Sequence, residues 1–260
     1  MRQLFAIDNQ KCSIYITISS SKACRFRICA EDTKPNSKYA DRTIEVNGER
    51  TIFLSFAVSP KQIILTVEPI SGISEKEYDV KIEFSPLKKY AIWIDKDTEN
   101  FLKLAVPFSQ FCGFKQPGKL GKFFQSEDKN FVLHYMPEIV DYQTGKILNT
   151  PARIGHTTGK IEIAAKSFNK YTVPMRLMIL LHEFSHKWKN LKMGLPISHE
   201  VGADINALYI YLGLGFSKID AIYVYSHVFL AAQSDENKKR MRKIMDYIAK
   251  FEEEQKPVFE

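Results

Sequence analysis

Thr172-Val173-Pro174-Met175-Arg176-Leu177-Met178-Ile179-Leu180-Leu181-His182-Glu183-Phe184-Ser185-His186-Lys187-Trp188 is the stretch on which the reading of this chain turns. Pro174 falls where a first helical turn tolerates proline, because that N–H has no intrahelical partner in any case. Leu177, Leu181, Phe184 and Trp188 follow at spacings of four, three and four, which is one apolar stripe of a helix. Gly194 and Pro196 end the element. His182 and His186 therefore lie one turn apart on a single helix face, with Glu183 beside the first of them.

Two imidazoles so placed converge on one ion, and Zn–N bonds of about 2.0–2.1 Å demand that closeness. Glu183 is placed to reach a metal-bound water without being a ligand. Further along comes His199-Glu200-Val201-Gly202-Ala203-Asp204, with Glu200 and Asp204 one turn apart on a second helix. Ala203 and Ala207 are small and let that helix approach the first. Glu200 completes a His₂Glu zinc site with a fourth position left open. Asp204 is placed to accept the free ring N–H of a ligand histidine, fixing its tautomer. The plainer alternative is that Glu200 and Asp204 form an ordinary exposed acidic face. His199 is a rival third ligand; neighbouring helical residues point about 100° apart, so His199 and Glu200 do not bind together.

Ser217-Lys218-Ile219-Asp220 reads as a capping box opening a third helix that carries Tyr223, Tyr225 and His227. Tyr223 and His227 share one face and are candidate donors to an oxyanion, hence candidate catalytic residues with Glu183. A core-facing aromatic helix with one satisfied histidine is the alternative. Tyr171 and His156 are weaker candidates, and His134 reads as an ordinary strand residue.

His182-Glu183-x-x-His186 followed by Glu200-x-x-x-Asp204 resembles the gluzincin branch of the zincin metallopeptidases, over roughly residues 130–250. The resemblance implies zinc held by His182, His186 and Glu200, with Glu183 as general base. It also implies that the strand before the helix, within Ala152–Ala165, binds extended peptide by strand addition. The metzincin pattern is absent, since Lys189 and Lys192 stand where it needs Gly and His. His199 stands where the thermolysin-type pattern has Asn.

Outward from this stretch the first third of the chain is β-rich. Runs at Leu4–Ile7, Ser13–Ser19, Cys24–Cys29, Thr43–Val46, Thr51–Phe56, Gln62–Val67 and Tyr78–Phe84 predict about seven strands, with Asn47-Gly48 as a tight-hairpin signal. Ser85-Pro86-Leu87 is the expected boundary. The expected class is α+β: an N-terminal antiparallel β-sandwich over residues 1–87, in an attachment or scaffolding role, followed by a zincin-like α/β metallopeptidase domain over 88–260. Within the latter, Asp97–Phe114 predicts a helix kinked or broken at Pro107. Lys115–Lys129 predicts a surface loop, Phe131–Met136 a strand, and Ala152–His156 with Lys160–Ala165 two strands turned by Thr157-Thr158-Gly159.

With 260 residues, 45% of them hydrophobic and 26% charged, the chain can bury a sizeable core, and disorder is not expected. The net charge of +7 favours acidic partners, but the lysines and arginines are scattered and no nucleic-acid motif occurs. The run Lys238-Lys239-Arg240 with Arg242-Lys243 reads as a solvated helix face. The cysteines, Cys12, Cys24, Cys29 and Cys112, read as buried thiols, with a Cys12–Cys24 or Cys12–Cys29 disulfide as the alternative. Asp8 and Lys11 interrupt the N-terminal apolar run, so a secretion signal is not expected, nor is a membrane span. The expected location is cytoplasmic or virion-associated. The function expected is peptide-bond hydrolysis by a zinc metallopeptidase on a peptide or protein substrate. The alternative is a structural subunit of a large assembly, such as a phage tail or capsid-associated protein, that meets protein partners through residues 1–87.

Overall fold

The computed structural model describes residues 1–70, 72–155, 157–190, 199–232 and 234–259. The chain is mixed α+β with antiparallel sheets and forms two compact units, Met1–Lys89 with Val258–Glu260, and Tyr90–Pro257. Among the described residues no helix is long and apolar enough to cross a membrane.

The first unit is built on five strands: β1 (Arg2–Ala6), β2 (Cys12–Glu31), β3 (Lys38–Phe56), β4 (Gln62–Pro69) and β5 (Tyr78–Pro86). Their order is β1-β4-β2-β3, with β5 also on β2, and every pair is antiparallel. The count of seven is thereby corrected. Ser13–Ser19 and Cys24–Cys29 are two halves of β2, and Thr43–Val46 and Thr51–Phe56 are two halves of β3. Asn47-Gly48 does not turn a hairpin, because both of its flanks pair with β2 rather than with each other. The register steps from Ser20↔Gly48 to Cys24↔Val46, so β2 carries the longer side of a bulge, and Gly48 at φ +79° takes up the bend. β5 lines the first half of β2 and β4 the second. Alternation puts Ile14, Ile16, Ile18, Phe26 and Ile28 into the core. Cys12, Cys24, Cys29 and Cys112 are all buried thiols, and neither Cys12–Cys24 nor Cys12–Cys29 is bridged.

β6 (Lys88–Tyr90) pairs with β11 (Pro257–Phe259) in a two-stranded ribbon. The second unit contains α1 (Lys96–Phe111), then β7 (Lys122–Gln125), β8 (Val132–Met136), β9 (Ala152–Ile154) and β10 (Ile161–Ala164). Asp95 caps α1 by accepting from the Thr98 N–H at 2.7 Å, and the helix runs through Pro107 instead of breaking there. The sheet order is β7-β8-β10-β9; β8 and β10 are parallel and the outer pairs antiparallel. β7 corrects the expectation of a plain loop over Lys115–Lys129. Its Lys-Phe-Phe-Gln sequence lacks alternation, as suits an exposed edge strand. Gly121, at φ +76°, lets this edge approach β8 closely: a Cβ there would lie 2.9 Å from both His134 Nε2 and the Tyr135 carbonyl. His134 stacks on Phe123 with centroids 4.0 Å apart, and burial lowers its pKa, with Lys160 adding to the effect.

After α2 (Ala165–Phe168) come α3 (Val173–Ser185), α4 (His199–Gly213), α5 (Lys218–Val224), a π-turn at Tyr225–Phe229 and α6 (Asp235–Glu254). α3 is the hub, packed on α1, α4, α5, β9 and β10. All thirteen of its residues are buried, a wider apolar surface than the single stripe implied. Even Arg176 is only 1% exposed; it donates to the carbonyls of Ser109 and Asn169.

Candidate metal centre

Thr172 caps α3 by accepting from the Met175 N–H, and Pro174 occupies the first turn. The helix ends at Ser185, and His186 is its C-cap. Gly194 and Pro196, expected to end it, lie outside the described residues. The final turn is anchored by rings: Phe184 stacks on Phe101 at 4.3 Å and on Trp188 at 5.2 Å, with Phe131 at 5.7 Å. The chain beyond it is held by Asn206 of α4. Asn206 donates to Ser185 Oγ at 2.8 Å and the Trp188 carbonyl at 3.3 Å, and accepts from the Asn190 N–H at 2.9 Å.

His182 and His186 face each other across 3.1 Å between their Nε2 atoms. Glu200, in the first turn of α4, brings Oε2 to 3.8 Å from His182 Nε2 and Oε1 to 3.8 Å from His186 Nε2. The ligand atoms of all three lie within 4.8 Å of one another, and the group could hold a metal ion. His182 is buried, His186 half-buried and Glu200 exposed, so one side of the group is open. Glu183 is buried at 8% exposure.

Asp204 stands behind His182, with Oδ1 3.1 Å from Nδ1. The contact is a close electrostatic one, and Nδ1 has no hydrogen-bond partner. The carboxylate thus stands on the Nδ1 side of the ring while Nε2 faces the ligand group. Asp204 is 1% exposed and takes Arg240 in a fork, from Nε at 3.0 Å and Nη2 at 2.8 Å to Oδ2. The same Nη2 lies 3.0 Å from Glu200 Oε2. Tyr225 donates its hydroxyl to the Asp204 carbonyl at 2.9 Å, and complete burial raises its pKa well above the ordinary value.

The arrangement fits the ion that the motif implies. Two ligands on one tetrahedral zinc are about 3.3 Å apart, given bonds of about 2.0–2.1 Å. The 3.1 Å imidazole separation is close to that edge, and the two 3.8 Å separations from Glu200 are somewhat longer than it. Two imidazoles and a carboxylate are the donor types zinc takes.

Tyr223 and His227 are placed elsewhere. They stack on each other at 4.0 Å on the exposed side of their helix, and His227 Nδ1 is engaged by Ser226 Oγ and the Tyr223 carbonyl. Phe229, at the end of the π-turn, stacks on His182 at 3.9 Å. Half-buried Tyr171 has its pKa raised by burial and by the neighbouring Tyr223. His156 and the side chain of His199 lie outside the described residues.

Arg240 corrects the reading of its basic run as a solvated face. Lys238, Lys239, Arg242 and Lys243 are exposed, but Arg240 is buried. It shares a stripe with Ile244, Ile248 and Phe251 at spacings of four, four and three. That spacing is the signal that could have found it.

No protein-family model, curated protein or solved structure matches the chain. The functional reading therefore stands on the geometry of the residues themselves.

Proposed function

We propose that the chain is a zinc-dependent metallopeptidase of the gluzincin type, with the ion held by His182, His186 and Glu200. The observation that carries this is the convergence of these three ligand atoms beside the buried Glu183. Zinc bound there would supply Lewis acidity toward a scissile carbonyl and toward water. Glu183 takes the proton of the attacking water and passes it to the leaving amine. Asp204 holds His182 in the tautomer that leaves Nε2 unprotonated. Phe229 walls the ring of His182 from water.

The substrate is an extended peptide, and β9 supports this as the edge of its sheet. Arg153 pairs with Glu162 of β10, and the flanking residues bond through Gly155 N–H to the Lys160 carbonyl and Ala164 N–H to the Pro151 carbonyl. In an antiparallel ladder the alternate residues, Ala152 and Ile154, turn their main-chain groups outward. Thr150 Oγ1 covers the Ala152 carbonyl, leaving the Ile154 groups for a peptide strand. The test is zinc analysis together with cleavage of a broad peptide library by wild type and Glu183→Gln. Hydrolysis equal in both sinks the assignment.

A second reading, a subunit of a large assembly with a sandwich-like N-terminal module, is favoured by Tyr15 and Phe53. These cross-strand neighbours are 39% and 41% exposed on the outer face of β2 and β3. Tyr15→Ser/Phe53→Ser should then abolish self-association in sedimentation. A wild-type chain that is monomeric at all concentrations and captures no partner removes this reading.

A further inference from the structure

The geometry points to Arg240 as a positioning residue for the metal group, fastening Glu200 in its ligand position from a helix that contributes no ligand itself. The inference rests on the metal reading above.

The guanidinium of α6 is turned onto α4. Its Nε and Nη2 fork onto Asp204 of α4, and Nη2 reaches on to Glu200 Oε2 at 3.0 Å, one turn earlier on the same helix. Glu200 is 49% exposed at its side chain, and a carboxylate so exposed at a helix start has several rotamers open to it. The other end of the same carboxylate faces His186. An ion-pair contact of one oxygen with a buried arginine that Asp204 already holds in place limits that freedom. Lysine cannot reproduce this, since its donors all sit on one nitrogen, whereas Arg240 reaches its partners from two nitrogens held in a rigid plane.

α6 is docked independently of the ion. Ile244, Ile248 and Phe251 are buried along the stripe that begins at Arg240, α6 packs on α4, and Phe251 meets Tyr209 and Tyr90 at 6.2 and 5.0 Å. Upstream, Phe229 lies on His182. Phe229 and Arg240 thus both meet the ligand group, one with a ring against the first histidine and the other with a cation on the carboxylate. Arg240 acts through Glu200 and is not itself a ligand.

Cobalt(II) is the probe, because its visible absorption reports ligand number and its affinity can be measured by chelator competition without any turnover. Arg240→Lys should weaken cobalt binding about 10–100-fold, the usual cost of losing a residue that orients a ligand. Its absorption band should also shift. In a Glu200→Gln background the same substitution should cost no more than about twofold, because the group it acts through is gone. Equal losses in both backgrounds would reduce Arg240 to general support of the fold and overturn the proposal. Unchanged affinity and spectrum in Arg240→Lys would overturn it as well. Melting of the metal-free proteins checks folding. If Arg240→Lys does not fold, Arg240→Met is placed on Asp204→Asn, so that no buried charge is stranded. A further loss of about tenfold relative to Asp204→Asn alone supports the proposal, and no further loss overturns it. Wild type that binds neither cobalt nor zinc overturns both this inference and the metal reading. Wild type that binds while the Arg240 variants match it overturns this inference alone.

Discussion

His182 Nε2 and His186 Nε2 stand 3.1 Å apart, one on the last turn of α3 and the other on its cap. At this separation the two nitrogens can share either one hydrogen or, with Glu200, one metal ion, and metal analysis tells these apart. Purified protein should contain one zinc per chain by elemental analysis. His182→Ala should lower affinity by more than the 10–100-fold that follows loss of a supporting residue. Stoichiometric zinc retained in His182→Ala would show that the ion, if present, lies elsewhere.

Glu183 separates chemistry from binding. Glu183→Gln keeps size and polarity but cannot take a proton. Zinc content should stay at the wild-type level while peptide hydrolysis falls about 10²–10⁴-fold, the range for a positioned acid–base group. Loss of zinc in this variant would instead make Glu183 part of the ligand set.

Asp204 ties the ion to the fold. Asp204→Ala removes the carboxylate behind His182 and strands Arg240. Breaking a buried pair costs about 3–5 kcal/mol, and the remaining contact of Arg240 with Glu200 should keep the loss near the lower figure. Denaturant unfolding of the metal-free protein measures this. A change below about 0.5 kcal/mol would mean that the pair is solvated.

Tyr223 and His227 serve as the contrasting pair. Because they stack on each other at the surface, Tyr223→Phe/His227→Ala should leave zinc affinity unchanged and stability within about 0.5 kcal/mol. Phe229→Ala, on the ring of His182, should alter the metal affinity. If the two variants traded these outcomes, the placement of the π-turn would be wrong.

Tyr135 gives a pH dependence. Its hydroxyl donates to the Cys112 carbonyl at 2.8 Å and accepts from Asn169 at 2.6 Å; burial pushes its pKa up to about 12. The unfolded value is about 10, so the contribution is fully present below pH 10 and is lost as pH rises from 10 toward 12. Tyrosinate absorbance should lag behind that of a free tyrosine over this window, then rise together with loss of structure. Tyr135→Phe should remove its share of the alkaline sensitivity.

The local part of the candidate centre could be read in the sequence. The helix start at Thr172-Val173-Pro174 and the one-turn spacings of His182/His186 and Glu200/Asp204 depend only on helical geometry. What could not be read depends on contacts distant in the chain. Arg240 is 36 residues from Asp204 and looked like one more charge in a basic run. Asn206 reads as any polar helix residue in the sequence, because its contacts with Ser185, Trp188 and Asn190 are distant in the chain. The i,i+4 spacing of Tyr223 and His227 on one face was legible, and the two rings do stack, but their exposure depends on packing that the spacing does not reveal. In the first unit the apolar runs were found, but bulge and hairpin share the same Asn-Gly signal. Only pairing with a third strand tells them apart.

The end of α3 at His186 has an electrical consequence. A helix ends in carbonyls that carry roughly half a negative charge, and a helix begins in N–H groups with the opposite sign. The histidine pair occupies the negative end of α3, while Glu200 occupies the positive start of α4. The backbone field thus favours a cation at the imidazoles and an anion at the carboxylate, before any side-chain charge is counted. α3 is buried along its whole length, so mobile ions screen its end weakly, but they do reach the half-exposed Glu200 at the start of α4. The decline of metal affinity with salt should therefore come from the Glu200 end of the group and be smaller in Glu200→Gln than in wild type.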